Sequence, residues 1–177
     1  MKVCIIGDGL VSMALANLLI KKDIFVDILI KKKKKKNDQS RTLGVSKSNI
    51  DYFNTEIINI KKILWEIKKI KIYTEKDSKN EILKFDNENR QIFSIIRNSQ
   101  LYELLLNKLK KSKYIKFKNN LDINNQEYKL IINCDPNHPY TKKFFFKKIE
   151  KNYDSYAYTT TIIHDKIKNN TAFQNFT

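Results

Sequence analysis

Gly7-Asp8-Gly9-Leu10-Val11-Ser12 is the segment whose residue types and spacing are best suited to chemistry. It reads G-x-G-x-x-S, with Ala16 four residues further on. In such a segment the first glycine permits a sharp turn out of a strand, and the second lets a pyrophosphate approach the backbone. The third position needs a small residue so that a helix packs closely. The unpaired amides of Leu10, Val11 and Ser12, at the positive end of that helix, would then hold a diphosphate. Only three glycines occur in the 177 residues, and two of them are Gly7 and Gly9. A purely structural turn is the competing reading of the same six residues. An acidic residue ending the second strand, expected to bond an adenosine ribose, is missing. Asp27 falls inside that strand, and the strand ends at Ile30-Lys31, where a lysine cluster suits a 2′-phosphate instead.

The elements around the turn support the dinucleotide reading. Val3-Cys4-Ile5-Ile6 is wholly apolar, the pattern of a strand buried on both faces in a parallel sheet. Helical spacing follows over 10–22 and a β-rich run over 24–30, which makes a βαβ unit. Further on, 46–53 and 57–64 read as helical, and 67–74 and 82–85 as strands around a polar hairpin loop at 75–81. Asn98 or Ser99 caps a helix that buries Leu101, Tyr102, Leu104, Leu105 and Leu109. Strands are expected at 114–117 and 128–134, the latter ending in Asp135-Pro136-Asn137-His138-Pro139, and at 156–164 and 171–176. Parallel-type strands at 3–6, 24–30 and 128–133 thus alternate with segments of antiparallel character at 67–85 and 156–176. The expected division is a Rossmann-like part at 1–66 and 93–140 and a partial mixed sheet at 67–92 and 141–177.

Composition narrows the classes. The formal charge is +16, from 35 Lys and Arg against 19 Asp and Glu. Only Arg41, Arg90 and Arg97 are arginines, so 35 − 3 leaves 32 lysines, spread along the chain with one run at 31–36. Nucleic-acid readers draw on arginine interleaved with aromatics, so a nucleic-acid partner is not expected. The same lysines favour anionic lipid headgroups, which leaves a peripheral contact at the inner face of a membrane open. No run approaches the ~20 apolar residues of a membrane span. Cys4 and Cys134 are too far apart for metal-ligand spacing and suit a reducing compartment, so the expectation is a cytoplasmic protein without a metal. His138 and His164 have no partner constellation and read as surface residues.

With these residues in place, the chain resembles the FAD-dependent aromatic hydroxylases, most closely the ubiquinone-biosynthesis branch of the para-hydroxybenzoate-hydroxylase-type monooxygenases. Beyond the glycine turn, Arg41-Thr42-Leu43-Gly44-Val45-Ser46, with Ser48, Tyr52, Phe53 and Trp65, looks like the family's arginine-led segment running into a helix. Ile95-Ile96-Arg97-Asn98-Ser99-Gln100-Leu101 looks like the arginine-plus-helix segment that returns to the flavin domain. Leu130-Ile131-Ile132-Asn133-Cys134-Asp135 resembles the family's aspartate motif, with Pro136 where the family has glycine. Residues 153–159 and Ala172-Phe173-Gln174-Asn175-Phe176-Thr177 look like substrate-layer strands, and Tyr156, Tyr158 and Phe173 read as pocket or core aromatics.

The resemblance implies an α/β fold: a Rossmann-like FAD-binding βαβ domain interleaved with a partial mixed β-sheet substrate layer. It implies FAD held by Gly7, Gly9, Leu10, Val11, Ser12, Lys31, Arg41, Arg97 and Asp135, with NAD(P)H as reductant and a prenylated phenol as substrate. It assigns no catalytic side chain. Family members run much further and carry a later G-D-A-x-H motif. The chain is therefore expected to be an N-terminal portion, either a fragment or one piece of a split enzyme whose second chain supplies the rest. Apolar sheet faces should then be left uncovered. A non-catalytic or degenerate Rossmann-like binding protein is the alternative.

Overall fold

The computed structural model describes residues 1–30, 41–74, 81–86, 90–119, 128–145, 147, 149–156, 158, 160, 162 and 169–176. In chain order the elements are β1 (Lys2–Ile6), α1 (Leu10–Ile20), β2 (Phe25–Leu29), β3 (Thr42–Ser46) and α2 (Lys47–Tyr52). A π-helical turn (Phe53–Ile57) and a 3-10 turn (Lys61–Ile63) precede β4 (Trp65–Ile67), β5 (Lys69–Thr74), β6 (Leu83–Asp86) and β7 (Phe93–Arg97). Then come α3 (Asn98–Lys110), β8 (Ile115–Lys118), β9 (Leu130–Asn133), α4 (Pro139–Phe144) and β10 (Thr171–Phe176). The chain forms two units, 1–38 with 99–159 and 39–98 with 160–177.

The first unit is a four-stranded sheet in the order β8-β2-β1-β9, every pair parallel. β1 is central, which explains its unbroken apolar run: Val3, Cys4, Ile5 and Ile6 are all buried. α1 buries Ser12, Met13, Ala16 and Asn17. The small side chains at 12 and 16 bring its axis close to its neighbours, and Asn17 Nδ2 donates to the Leu105 carbonyl of α3 at 3.2 Å. α3 adds Leu101, Leu105 and Leu109, a stripe at i, i+4, i+8 that buries one helical face. Each fully buried side chain of this size contributes about 1.5–3 kcal/mol.

The second unit holds two three-stranded sheets, β3-β7-β4 and β10-β5-β6. In the first, β7 pairs antiparallel with both neighbours over buried Ser94 and Ile96. The second is mixed: β5 runs antiparallel to β6 but parallel to β10. The expectation of antiparallel character over 171–176 is corrected by that pairing, although the mixed sheet itself is present. Strand alternation sorts its faces. One carries the Lys69–Asp86 ion pair at 3.1 Å, the Lys71–Glu81 ion pair and the Tyr73–Phe173 ring stack. The other carries Ile70, Ile72, Leu83, Phe85 and Phe176, and the last three are about half exposed.

Several local expectations change. The 57–64 stretch is not a regular helix. Its chain tightens through the π-helical and 3-10 turns while the Asn54 side chain accepts from the Ile60 amide at 2.8 Å. The 67–74 strand is two strands in two sheets, broken at Lys68, whose amide donates to the Asn170 carbonyl. β3 and β7 were not expected as strands. They form a five-pair antiparallel ladder with each other, from Thr42 opposite Arg97 to Ser46 opposite Phe93, extended by Asn98 N–H donating to the Arg41 carbonyl at 3.0 Å. Residues 42–66 and 93–97 fall in the second unit, whereas the expected division at 66 and 93 had them in the Rossmann-like part. Tyr156, Tyr158 and Ile162 are exposed and lie outside any strand, so they do not form core. Residues 31–40, most of the 75–81 loop, His164 and Thr177 lie outside the described residues. Among the described residues no helix is long and apolar enough to cross a membrane.

Candidate functional site

In the first unit the chain steps from β1 to β2 and β8 on one side, while β9 lies on the other. The order therefore reverses between β1 and β9, and in open parallel sheets ligands bind in the crevice beyond the carboxyl ends of the strands at such a point. Those ends carry Gly7-Asp8-Gly9 after β1 and Cys134-Asp135 after β9.

The two glycines differ. Gly7 has φ +107°, and its amide donates to the Leu29 carbonyl at 3.0 Å. A Cβ built there would lie 3.2 Å from the Asp135 Cβ and 3.3 Å from the Asp135 nitrogen. The protein itself demands glycine at this position. Gly9 has an ordinary φ of −79°, and a Cβ on it would meet nothing within 4 Å. Neither backbone conformation nor packing explains its lack of a side chain, whereas a ligand lying on the backbone would. Gly9 also provides no side-chain cap for α1, and the first intrahelical bond is Met13 N–H to the Gly9 carbonyl. The amides of Leu10, Val11 and Ser12 therefore face out of the helix end. Val11 is 70% exposed, in the open next to them. Ser12 is fully buried, and its hydroxyl has no hydrogen-bond partner among the described residues. Its side chain serves close packing of α1.

Asp135 organises the other wall. Its Oδ1 accepts from the Asn137 amide at 3.0 Å, and its carbonyl accepts from the His138 amide and the Thr141 hydroxyl. Asn133 ties the turn together, its Oδ1 accepting from the Asp135 amide and its Nδ2 donating to Thr141 Oγ1. Pro139 then opens α4 at a position that needs no amide donor, and His138 Nδ1 accepts from the Tyr140 amide. The proline after Asp135 thus accompanies an ordered turn that presses the aspartate against Gly7. A cavity of about 230 Å³ opens here, lined by Gly7, Ile30, Asn119, Asp135 and His138 among others. His138 and Asn119 were not expected in a site. The only sequence signal for His138 was its place in the proline-framed turn, and nothing marked Asn119.

Gly7, Gly9, Leu10, Val11, Ser12 and Asp135 thus come together in the first unit. Arg41 and Arg97 come together in the second: Arg97 pairs with Thr42 in the β3–β7 ladder, and both arginines are exposed at that end of the sheet. Lys31 lies outside the described residues. Asp27 is not a ribose ligand. It is buried in mid-strand, where its Oδ2 accepts from the Tyr128 hydroxyl at 2.7 Å and pairs with Lys118 at 2.9 Å and Lys2 at 3.3 Å.

The two cysteines also differ. Burial first, then the Asp27 charge, pushes the Cys4 thiol up to about 11, and its side chain is inaccessible. Cys134 is partly exposed. A thiol-reactive chromogenic disulfide should therefore modify one cysteine rapidly in the folded chain and the second only after denaturation. Equal rapid modification of both would contradict the buried central strand.

No protein-family model matches the chain, and no curated protein does. Solved structures do match. The p-nitrophenol 4-monooxygenase PnpA from Pseudomonas putida DLL-E4 is 13% identical, with a TM-score of 0.55 over 66% of this chain and 31% of that one. PqsL, a probable FAD-dependent monooxygenase from Pseudomonas aeruginosa, is 15% identical, with a TM-score of 0.54 over 66% and 32%. HpxO from Klebsiella pneumoniae, crystallised with FAD and uric acid, is 14% identical, with a TM-score of 0.52 over 66% and 30%. The chain thus spans about a third of the length of these proteins. Its fold is the α/β fold, with a parallel sheet, of the FAD-dependent monooxygenases.

Proposed function

We propose that this chain is the N-terminal FAD-binding portion of a flavin-dependent monooxygenase. The observation that carries the reading is Gly9, whose Cβ would meet nothing within 4 Å, set at the N-terminal end of α1 two residues after Gly7, which lines the switch-point cavity. The amides of Leu10, Val11 and Ser12 would bind the diphosphate, and the α1 dipole would favour its negative charge. Gly7 lets the β9 turn close in, so that Asp135 lines the wall of the cavity. Arg41 and Arg97, adjacent in the β3–β7 ladder, would add cationic contacts to the flavin or its phosphates. Lys31 would follow β2 with a further cation. FAD held there would supply the redox chemistry of a ring hydroxylation that uses NAD(P)H as electron donor and O2 as oxygen source.

The reading extends to a prenylated phenolic ubiquinone precursor as substrate, following the resemblance of the motifs. It extends also to a second polypeptide that covers the half-exposed apolar face of Leu83, Phe85 and Phe176. Lysine-rich surfaces suit a cytoplasmic location with peripheral contact at the inner membrane face. The missing acidic residue at the end of β2, with Asp27 buried and held by Tyr128, Lys118 and Lys2, favours a second reading, a non-catalytic or degenerate Rossmann-like binding protein.

Flavin titration separates these readings. The purified chain is expected to retain FAD, with saturable quenching of flavin fluorescence. NAD(P)H oxidation is expected only when a polypeptide carrying the G-D-A-x-H segment is added. Flavin uptake without turnover under that condition leaves the binding-protein reading. A colourless chain that takes up no added FAD excludes the flavin-monooxygenase reading and leaves only a non-flavin Rossmann-like binding protein.

A further inference from the structure

A second cavity, of about 370 Å³, opens at the amino-terminal ends of β1, β2 and β8, the opposite end of the sheet from the glycine turn. Its size falls in the range of small-molecule pockets. One wall is aromatic: the Phe25 and Tyr114 rings sit 5.0 Å apart at 60°, with Phe25 half exposed. The Tyr114 hydroxyl is hydrogen-bonded to the Asp23 carboxylate, which holds its phenol above the usual range. The wall is therefore pre-formed. Lys113 and Lys116 line the same cavity, and Lys113 Nζ stands 5.3 Å from the Tyr114 ring centroid.

The charges around this cavity do not balance. Asp27 is its carboxylate, but Lys2 and Lys118 already neutralise it. Among the described residues no carboxylate pairs with Lys113 or Lys116. Two exposed cations beside a fixed aromatic wall suit one kind of ligand, an anion with a flat apolar body. Inorganic phosphate would leave the rings bare, and a neutral arene would leave the lysines unused.

We infer that this cavity is a binding site for an aromatic carboxylate, its ring laid against Phe25 and Tyr114 and its carboxylate paired with Lys113 and Lys116. The site is separate from the switch-point cavity and independent of any flavin. Titration of the whole chain with 2-naphthoate, followed by calorimetry and ligand-observed NMR, tests it. The expected result is saturable binding at a single site, unchanged by FAD. Binding should weaken at least tenfold for 2-naphthamide, and at least tenfold in a Lys113→Gln/Lys116→Gln variant that keeps the parent circular dichroism. A Lys47→Gln/Lys110→Gln variant removes the same charge elsewhere and should bind as the parent does. Equal affinity for the amide, equal loss in both lysine pairs, displacement by FAD, or no saturable binding would each overturn the inference. The naphthamide comparison needs no variant to fold.

Discussion

Gly9→Ser is expected to keep the fold at full stability while FAD affinity falls at least tenfold, about 1.4 kcal/mol. At φ −79° and ψ 178° the residue already has the extended conformation of a helix cap, and a Cβ there meets nothing within 4 Å. Serine is also the better cap, since its hydroxyl accepts from an amide of the first turn; the variant should gain a few tenths of a kcal/mol. That same hydroxyl and Cβ occupy the space and the donors that a diphosphate would use. Gly7→Ala makes the contrast. A left-handed φ strains an alanine by about 1–3 kcal/mol. Its Cβ would also press on the backbone of Cys134 and the Asp135 side chain at 3.2–3.3 Å. Denaturant unfolding should therefore show Gly7→Ala destabilised by about 2–4 kcal/mol. Paired measurements of stability and flavin affinity decide between ligand and structure. If Gly9→Ser binds FAD as tightly as the parent, the glycine turn is structural only.

The same contrast shows what the sequence could reveal. β1, the glycine turn, α1 and β2 were readable because each rests on local pattern: a doubly buried strand, two of three glycines, and small residues at 12 and 16. α3 was readable from its leucine stripe and β8 from its short apolar run. β3 and β7 were not. In β7 the buried face carries Ser94 and Ile96 and the half-buried face Phe93 and Ile95, so residue polarity does not follow burial, and its β3 partner lies far away in sequence. The parallel pairing of β10 with β5 is likewise a long-range choice that local residue types leave open. At the site, Gly7 and Asp135 were each marked by type, but their contact comes from the β1–β9 pairing, which places Asn133 opposite Ile6. His138 joins that wall through the same turn. Cys134 and Asp135 lie close before it in sequence, but their spacing to it matches no ligand or catalytic pattern, so residue type alone did not mark it.

Asp27, set inside β2 and so not the ribose-binding acid, is instead the anion of a buried cluster, and removing its charge should cost the first unit about 1–3 kcal/mol. Burial alone would push this carboxyl up. Hydrogen bonds from Tyr128, Lys118 and Lys2 outweigh that effect and hold it below its ordinary value near 3.8. The cluster pulls the Lys118 ammonium the other way, raising it through the Asp27 bond first and Tyr128 second. Because the folded carboxyl titrates below the unfolded one, its stabilisation is fully present above about pH 4 and is lost as pH falls through the lowered folded value. Asp27→Asn retains an acceptor for the Tyr128 hydroxyl but removes the anion that Lys2 and Lys118 share. Their side chains are 32% and 35% exposed and turn partly to water, so the loss stays below the roughly 3–5 kcal/mol of a wholly buried broken pair. Denaturant unfolding at pH 7 and pH 3 checks both statements. The parent should lose stability on acidification, whereas Asp27→Asn, weaker at pH 7, should lose less, since it has no carboxylate at that position to protonate. A variant as stable as the parent at pH 7, or one with the same acid sensitivity, would show that the buried cluster contributes nothing beyond its packing.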